Sequence, residues 1–312
     1  MNHKVNFRRV IDKDISKIQN LFKITFKKNI TKKYYFWQYK NKKNFNSFVA
    51  YKDKKVVGHI GFVNKKILFN KNLFLCIYRH TTMIHPDYRK LGIYKNLMLY
   101  SYNILKNEKY LFILGWPNEI NLLASKKQKN FNFIKKISTF TLEKKTGKKI
   151  NKIFLKKNFN SINKLDKKTF SKFSIIDINN GWSIYKDYEY IKHRYIKNPD
   201  SKNYFYYSDS SNGENILIIF RYFNQKKTYI NIVEIFSLYK NNTNFFINKF
   251  LNYKYVIQVW EYKTYKYLID NKFKLIKPNF NISYYPLNFK NLKSNKKIMN
   301  KYLFSMGDID VF

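Results

Sequence analysis

Blocks of apolar and polar residues in the first 140 positions predict a mixed sheet with helices. The apolar runs 47–51 and 56–63 are joined by the polar turn 52–55, which is typical of two strands in a hairpin. The continuous apolar run 110–117 has the length of a strand, and the polar stretch 118–129 after it predicts a helix. Strands interleaved with helices favour an α/β fold.

The segment 82–98 predicts a strand, a short loop and the start of a helix. The strand should end near Ile84 or His85, because Pro86 has no amide hydrogen to give to a strand ladder. From Ile93 onward the apolar residues recur at helical spacing.

The loop in this segment carries Arg89, Lys90 and Gly92. A glycine lets the backbone approach a ligand closely, and the first N–H groups of a helix point at an anion with the helix dipole behind them. The loop therefore predicts a pyrophosphate site. The alternative is an ordinary strand-to-helix turn that happens to be basic.

The second half of the chain repeats the pattern of the first. Tyr39 and Tyr195 are separated by 156 positions, and so are Tyr51 and Tyr207. A fixed period of half the chain suggests duplication, and the alternative is coincidence in a tyrosine-rich sequence. The later elements predicted are a strand pair at 204–222, strands at 229–236 and 255–260, a helix at about 242–251 and an extended end at 302–312 with a Met-Gly-Asp turn.

The order of elements over roughly residues 5–140 resembles the GNAT superfamily of acetyl-CoA-dependent N-acetyltransferases. The family motif Q/R-x-x-G-x-G/A stands here as Arg89-Lys90-Leu91-Gly92-Ile93-Tyr94, after a strand that ends in His-Pro. The resemblance implies that acetyl-CoA is the co-substrate and that the backbone of this motif wraps its pyrophosphate. It also implies that Asn118 contacts the cofactor and that a strand-edge N–H near Met83 or Ile84 stabilises the oxyanion of the tetrahedral intermediate.

Two residues depart from the family pattern. Tyr94 occupies a position where the family usually has Gly or Ala, so its side chain is expected to point away from the phosphate. When Asn130-Phe131 is aligned with the family's Gly-Phe pair, Lys126 stands where the family has the Tyr that protonates the leaving thiolate. The proton source is therefore left open between Lys126 and a water molecule.

An amine must lose a proton before it attacks a thioester, so a base with a pKa near 7 would serve the reaction. The candidates are His80 and Glu119, which are ranked above His85. A His-Pro pair is common at this strand end in the family, so His85 need not take part in the chemistry. Alternation along the strand places His80 on the same face as Ile84. The five histidines show no paired spacing, so no metal site is predicted.

The composition adds a strong positive charge. The 312 residues carry 62 Lys and Arg against 19 Asp and Glu, for a net charge of +43, and 29 Phe with 28 Tyr supply ample core. Because the lysines are spread along the chain, codon bias explains them best. The alternatives are nucleic-acid binding and an anionic substrate. The single Cys76 fits a reducing compartment, and the charged first 30 residues predict no signal peptide, so a cytoplasmic protein is expected.

We therefore predict a mixed α/β fold of two tandem GNAT-like domains, each with a central twisted mixed sheet flanked by helices. The catalytic domain should cover 1–145. A degenerate domain at 146–312 should shape the acceptor site without binding acetyl-CoA, because 240–244 lacks the glycine of the first loop. The tandem layout, the Trp-x-Tyr segment and the Gly307-Asp308 ending resemble acetyltransferases of bacterial surface-sugar pathways.

That resemblance implies that the acceptor is a nucleotide-linked amino sugar, in surface or flagellar glycan biosynthesis of the nonulosonic-acid type. Nucleic acid is then an improbable partner. The alternatives are an aminoacyl-tRNA-dependent peptide-forming transferase and a basic nucleic-acid-binding protein.

Overall fold

The computed structural model describes residues 4–41, 44–69, 71–126, 131–173, 182–210, 215–237, 246–260, 273–288 and 302–303. The chain divides into two compact units. The first unit comprises Met1–Ile67, Leu73–Ile134 and Ile282–Lys296, and the second comprises Leu68–Asn72, Lys135–Asn281 and Lys297–Phe312. The predicted helix end at 127–129, the loop 240–244, the Trp-x-Tyr segment after Trp260 and the turn at 306–308 lie outside the described residues.

The described residues form seven α-helices and seventeen strands. The helices are α1 (Ile15–Phe26), α2 (Lys32–Tyr39), α3 (Ile93–Lys106), α4 (Glu119–Lys126), α5 (Lys152–Asn158), α6 (Lys167–Phe170) and α7 (Tyr188–Ile191). The strands are β1 (Asn6–Arg9), β2 (Lys40–Asn41), β3 (Asn44–Phe45), β4 (Ser47–Lys52), β5 (Lys55–Phe69), β6 (Asn72–Ile84), β7 (Phe112–Gly115), β8 (Asn132–Lys144), β9 (Lys148–Lys149), β10 (Asn160–Ser161), β11 (Trp182–Ile184), β12 (Tyr204–Asp209), β13 (Ile216–Asn224), β14 (Thr228–Ser237), β15 (Tyr253–Trp260), β16 (Lys274–Pro286) and β17 (Tyr302–Leu303).

The first unit is built on a mixed sheet with the strand order β1-β4-β5-β6-β7-β16. Strand β4 is antiparallel to both β1 and β5, whereas β6 and β7 are parallel over Ile77–Arg79 and Ile113–Gly115. Ser283–Pro286 of β16 then close the sheet antiparallel to β7. The predicted mixed α/β fold is confirmed.

Two apolar layers cover the opposite faces of this sheet. Helix α3 buries the stripe Ile93, Leu97, Met98, Tyr102 and Leu105 against β4, β5 and β6. The other layer packs α1 and α2 against Val49, Val56 and Met83. Because the apolar stripe of α3 recurs at helical spacing, the sequence located this helix well.

The second unit repeats the strand succession of the first. Its order is β10-β12-β13-β14-β15-β8, with β14 parallel to β15 as β6 is to β7. Its core is rich in phenylalanine, and the Phe159 and Phe250 rings stack with centroids 5.2 Å apart. The Tyr195 hydroxyl donates to the Glu234 carboxylate on β14 at 2.7 Å. Tyr39, at the matching position of the first half, reaches β6 in a similar way.

The last strand of each sheet comes from the other half of the sequence. Strand β8 follows β7 along the chain, yet Thr139–Lys144 pair with β15, and β16 follows β15 but pairs with β7. Residues 283–286, which the predicted division at 145/146 assigns to the second domain, therefore complete the sheet of the first unit. Hydrogen bonds between strands distant in sequence decide this exchange, and no local pattern records it.

The end of α3 shows the same long-range assembly. The Asn288 side-chain amide donates to the carbonyl oxygens of Lys106, Glu108 and Tyr110 at 2.9–3.1 Å. The Lys106 carbonyl belongs to the last turn of α3, where carbonyls have no intrahelical N–H partner, and the other two carbonyls follow the helix. Across the described part of the chain, no helix has both the length and the apolar character needed to cross a membrane.

Candidate active site

The turn between β6 and α3 has the backbone geometry that its glycine predicts. Strand β6 ends at Ile84, Pro86–Tyr88 form one 3-10 turn, and Gly92 directly precedes α3 with φ +73°. Lys90 also lies in the left-handed region, at φ +65°. A Cβ atom on Gly92 would meet only Asn96 Nδ2, at 3.9 Å, so the space beside the loop is open. An open concave backbone at a helix N-terminus suits a phosphate group.

The side chains of this loop are presented to solvent. Arg89, Lys90 and Leu91 are exposed, and the Arg89 Nε atom donates to the Ile84 carbonyl at 3.4 Å. Among the described residues neither cation forms an ion pair. Both positive charges are therefore available to an anion at the start of α3.

The two residues that follow Gly92 point into the protein. Ile93 is buried in the layer under α3, and the Tyr94 hydroxyl lies 3.3 Å from the Ser125 Oγ atom of α4. The bulky side chain at the family's Gly or Ala position thus packs between α3 and α4.

A distortion in β6 breaks the alternation of its side chains. Thr81 has φ +43°, which is strained for a β-branched residue. His80 and Met83 face the α1–α2 layer, whereas Ile84 packs on the α3 side. The prediction that His80 shares a face with Ile84 is therefore wrong, because simple period-2 counting does not hold across such a residue.

His80 lies in a buried hydrogen-bonded triangle with Tyr39 and Thr81. The Tyr39 hydroxyl and the Thr81 Oγ1 atom are each 2.6 Å from His80 Nδ1 and 2.7 Å from each other. The Tyr39 ring occupies the space above Gly61, where a Cβ atom would lie 2.4 Å from the ring. The sequence marked Tyr39 only through the repeat, and nothing local signalled its contact with His80.

His59 lies beside this triangle and holds the distorted strand. Its Nδ1 atom donates to the Thr81 carbonyl at 3.0 Å, and its Nε2 atom therefore accepts from the Tyr35 hydroxyl at 2.9 Å. The ring is fully buried, and this burial lowers the pKa of His59 to about 4. Burial also raises the pKa of Tyr35. His59 is thus a neutral structural support for Thr81.

Arg79 faces the α3 side, beside the last residue of β7. Its Nη1 atom donates to the Tyr102 hydroxyl at 3.0 Å and lies 3.2 Å from the Met98 sulfur. The last register pair between the two strands is Arg79 with Gly115, and β6 continues to Ile84 beyond it. Arg79 was not among the residues predicted from the sequence, although an arginine at the end of the apolar run 73–78 is a signal that could have identified it.

The remaining predicted residues lie on or next to α4. Asn118 and Glu119 are exposed at its start, and the Asn118 carbonyl accepts from the Leu122 N–H at 2.7 Å. Lys126 is exposed at the last position of the helix. Seven residues of helical rise separate the backbones of Glu119 and Lys126 by about 10 Å. These two side chains therefore lie at opposite ends of α4.

The model of the acetyltransferase (GNAT) domain matches residues 6–126, which include the β6–α3 turn and strands β6 and β7. This segment is a GNAT domain. The acyltransferase activity and the acetyl-CoA co-substrate of this family accordingly belong to the domain at 6–126. The open turn at Gly92 and the unpaired Arg89 and Lys90 fit the diphosphate of that co-substrate.

Solved structures share the fold over most of the chain. A GCN5-related N-acetyltransferase from Anabaena variabilis aligns with a TM-score of 0.65 at 11% identity, covering 91% of this chain and 73% of that one. One from Kribbella flavida gives 0.59 at 6% identity, with 92% and 72% covered. Saccharomyces cerevisiae N-myristoyltransferase with bound myristoyl-CoA and inhibitors gives 0.55 at 11% identity, with 90% and 79% covered. A comparison with the sequences of curated proteins finds no significant match.

Proposed function

We propose that this GNAT domain transfers acetyl from acetyl-CoA to the primary amine of a small acceptor, and that 89–94 bind the diphosphate. The observation that carries the proposal is the left-handed Gly92 at the start of α3, with open space beside it. The N–H groups of the first turn of α3 have no intrahelical acceptor and supply the donors. Asn118 at the start of α4 is the further cofactor contact.

The extension of β6 beyond the end of β7 supports the proposed role of Met83 and Ile84. Strand β6 runs on for five residues beyond its last pair with β7 at Arg79. A strand edge released from its neighbour offers backbone groups to a ligand. An N–H of Met83 or Ile84 would stabilise the oxygen on which charge develops during attack.

The proton acceptor is assigned to His80. Its Nδ1 atom is within 2.6 Å of the Tyr39 and Thr81 hydroxyls, which is the reach that proton transfer needs. Because His80 is only 6% exposed, a hydroxyl of the triangle relays the proton from the amine. Glu119 is the rival base, and Lys126 is the candidate that returns a proton to the thiolate.

Variants of His80 and Glu119 separate the two assignments. His80→Gln should lower kcat about 100-fold or more, because general base catalysis contributes about that factor. Its Kd for acetyl-CoA should stay unchanged, since the ring lies away from the α3 loop. Glu119→Gln, which removes a carboxylate at the surface, is the matched comparison. A large loss of kcat in Glu119→Gln with none in His80→Gln would transfer the role to Glu119.

The cofactor assignment is tested by the thermal shift with acetyl-CoA. At a hundredfold excess over Kd, binding stabilises the native state by about 2.7 kcal/mol. Gly92→Val should abolish this shift because its side chain fills the open space. It should also lower the unliganded stability by about 1–2 kcal/mol, since valine is strained at φ +73°.

A second variant keeps the backbone intact and tests the charges of the loop. Arg89→Gln with Lys90→Gln should weaken acetyl-CoA binding roughly tenfold, as loss of charge-assisted hydrogen bonds does. Lys27→Gln with Lys28→Gln, an exposed pair in the same unit, removes equal charge as the control. Equal weakening in both pairs would contradict the proposed diphosphate site.

The acceptor we propose is a nucleotide-linked amino sugar. The tandem layout supports it, and the net charge of +43 is compatible with it, because a basic surface raises the local concentration of a diphosphate-bearing substrate. Thiol release should be measured against nucleotide-linked amino sugars, free amino sugars, aminoglycosides and peptide amines. Turnover with peptide amines alone would retain the acetyltransferase and reject the sugar. Absence of thiol release with all of them, together with salt-sensitive tRNA binding, would favour a tRNA-dependent transferase.

A further inference from the structure

The second unit contains a basic cleft that the proposed transferase site does not use. It has a volume of about 330 Å³ and forms where the end of β8, the short strand β9, the β13–β14 turn and the start of β15 come together. A cleft of this size holds a small molecule.

Lysine dominates the lining of this cleft. Six of its eleven lining residues are lysines, against 62 Lys and Arg in the 312 residues of the chain, so the cleft is enriched well beyond the composition. They are Lys144, Lys145, Lys149, Lys226, Lys227 and Lys254. One carboxylate, Glu143, also lines the cleft, and it is held by Lys227 at 2.7 Å. A general excess of lysine along the chain does not explain this concentration.

The strand register places like charges opposite each other. Lys254 of β15 is the direct partner of Lys149 of β9 in their parallel pairing. Like charges at directly opposite positions destabilise a sheet unless a counter-charge lies between them. Among the described residues neither lysine has a carboxylate partner. A bound anion would supply the counter-charge that this pair of lysines needs.

The backbone under these lysines is fixed by close contacts. Gly147 has φ +110°, and a Cβ atom there would lie 2.7 Å from the Asn252 carbonyl oxygen. The same carbonyl accepts from the Lys148 N–H at 2.9 Å, and Lys144 Nζ donates to the Leu251 carbonyl. The turn before β9 thus packs closely against the residues that precede β15. This contact positions Lys149 beside Lys254.

We propose that this cleft binds the di- or triphosphate group of a small molecule. The six lysines and the single paired carboxylate give the cleft a net charge of about +5, which suits a multiply charged phosphate anion. Asn224 and Thr228 add uncharged polar groups that can orient phosphate oxygens. The volume favours one small ligand over a nucleic-acid strand, which needs a groove that tracks several nucleotides. The site is independent of the proposed acetyl transfer.

Calorimetry on the full chain tests the cleft. The probes are inorganic pyrophosphate, ADP and a single-stranded oligoribonucleotide. All proteins in this experiment carry Gly92→Val, so that the α3 loop does not add a second phosphate site. Lys149→Gln with Lys254→Gln should weaken pyrophosphate and ADP binding about tenfold. The unliganded melting temperature of this variant should not fall, because the two lysine charges that it removes repel each other in the wild type. Lys156→Gln with Lys157→Gln, an exposed pair on α5, removes the same charge outside the cleft and should change binding less than twofold.

The comparison of probes identifies the source of the phosphates. Tighter binding of ADP than of pyrophosphate means that the cleft recognises a nucleotide, and equal binding means that it recognises the phosphates alone; both support the proposal. Equal weakening in the two lysine pairs would overturn it in favour of diffuse charge. Binding of the oligoribonucleotide without pyrophosphate or ADP would overturn it in favour of a nucleic-acid surface.

Discussion

Lowering the pH from 7 to 5 should destabilise the first unit through His59. The ring is fully buried, its Nδ1 atom donates to the Thr81 carbonyl, and its Nε2 atom accepts from the Tyr35 hydroxyl. A proton on Nε2 would remove that acceptor and place a charge where water cannot reach it. The folded state therefore keeps His59 neutral, while the unfolded chain protonates it freely.

The magnitude follows from the two pKa values. Burial lowers the pKa of His59 to about 4 in the folded state, whereas an unfolded histidine titrates near 6.5. Because the folded pKa is the lower one, this contribution is fully present above pH 6.5 and is lost as the pH falls toward 4. Between pH 7 and pH 5 the linkage amounts to about 2 kcal/mol of unfolding free energy.

The single cysteine of the chain offers a local reporter. Cys76 is buried on β6 in the same unit, so a disulfide reagent that works in acid, such as a dithiodipyridine, labels it only when the strand opens. Urea titrations read by this labelling at pH 5 and pH 7 give the unfolding free energy at each pH. His59→Gln should remove about 2 kcal/mol of the difference between the two.

The control is His193→Gln, which changes an exposed histidine of the second unit and leaves the contacts of His59 intact; His59→Gln should lose more of the pH dependence than this variant does. An unchanged pH dependence in His59→Gln would refute the reasoning, and so would an NMR titration of the folded protein that places His59 near 6.5.

Two further predictions concern the same unit. Asp14→Asn should lower the unfolding free energy by about 2 kcal/mol, because the buried carboxylate accepts from Arg8 at 2.6 and 2.8 Å. Burial alone would raise the pKa of Asp14, but its hydrogen bonds lower it, so this stability persists at neutral pH and is lost in acid as the carboxylate protonates. Gly61→Ala should lower the unfolding free energy by about 1–3 kcal/mol and reduce kcat, since the new Cβ atom displaces the Tyr39 ring. Gly115→Ala is the control, and it should lower the melting temperature less because the nearest contact of its new Cβ atom is at 3.2 Å.

The candidate site was predictable where its signal is local. The strand, loop and helix of 82–98 follow from a proline, a glycine and a helical stripe that lie within a few residues of one another. Those features fix backbone geometry through short-range sterics, so Gly92 and the start of α3 could be placed before any tertiary contact was known.

The residues proposed to transfer the proton were harder to predict from the sequence. His80 was named from its strand, but its partner Tyr39 lies 41 positions away and meets it only when α2 packs on the sheet. The distortion at Thr81 that turns His80 toward α2 is held by His59 from the neighbouring strand. No pattern along one strand records a contact that depends on the packing of three elements.

The sequence by itself determined the fold class, the repeated strand succession and the loop of Gly92 before α3, because hydrophobic periodicity and backbone sterics act over a few residues. Only the tertiary structure decided that β16 closes the first sheet and β8 the second, and that the cleft of the second unit gathers six lysines. Strand partners are chosen by hydrogen bonding between segments more than 100 residues apart. The free energy of that choice depends on the assembled sheet, and a one-dimensional pattern does not contain it.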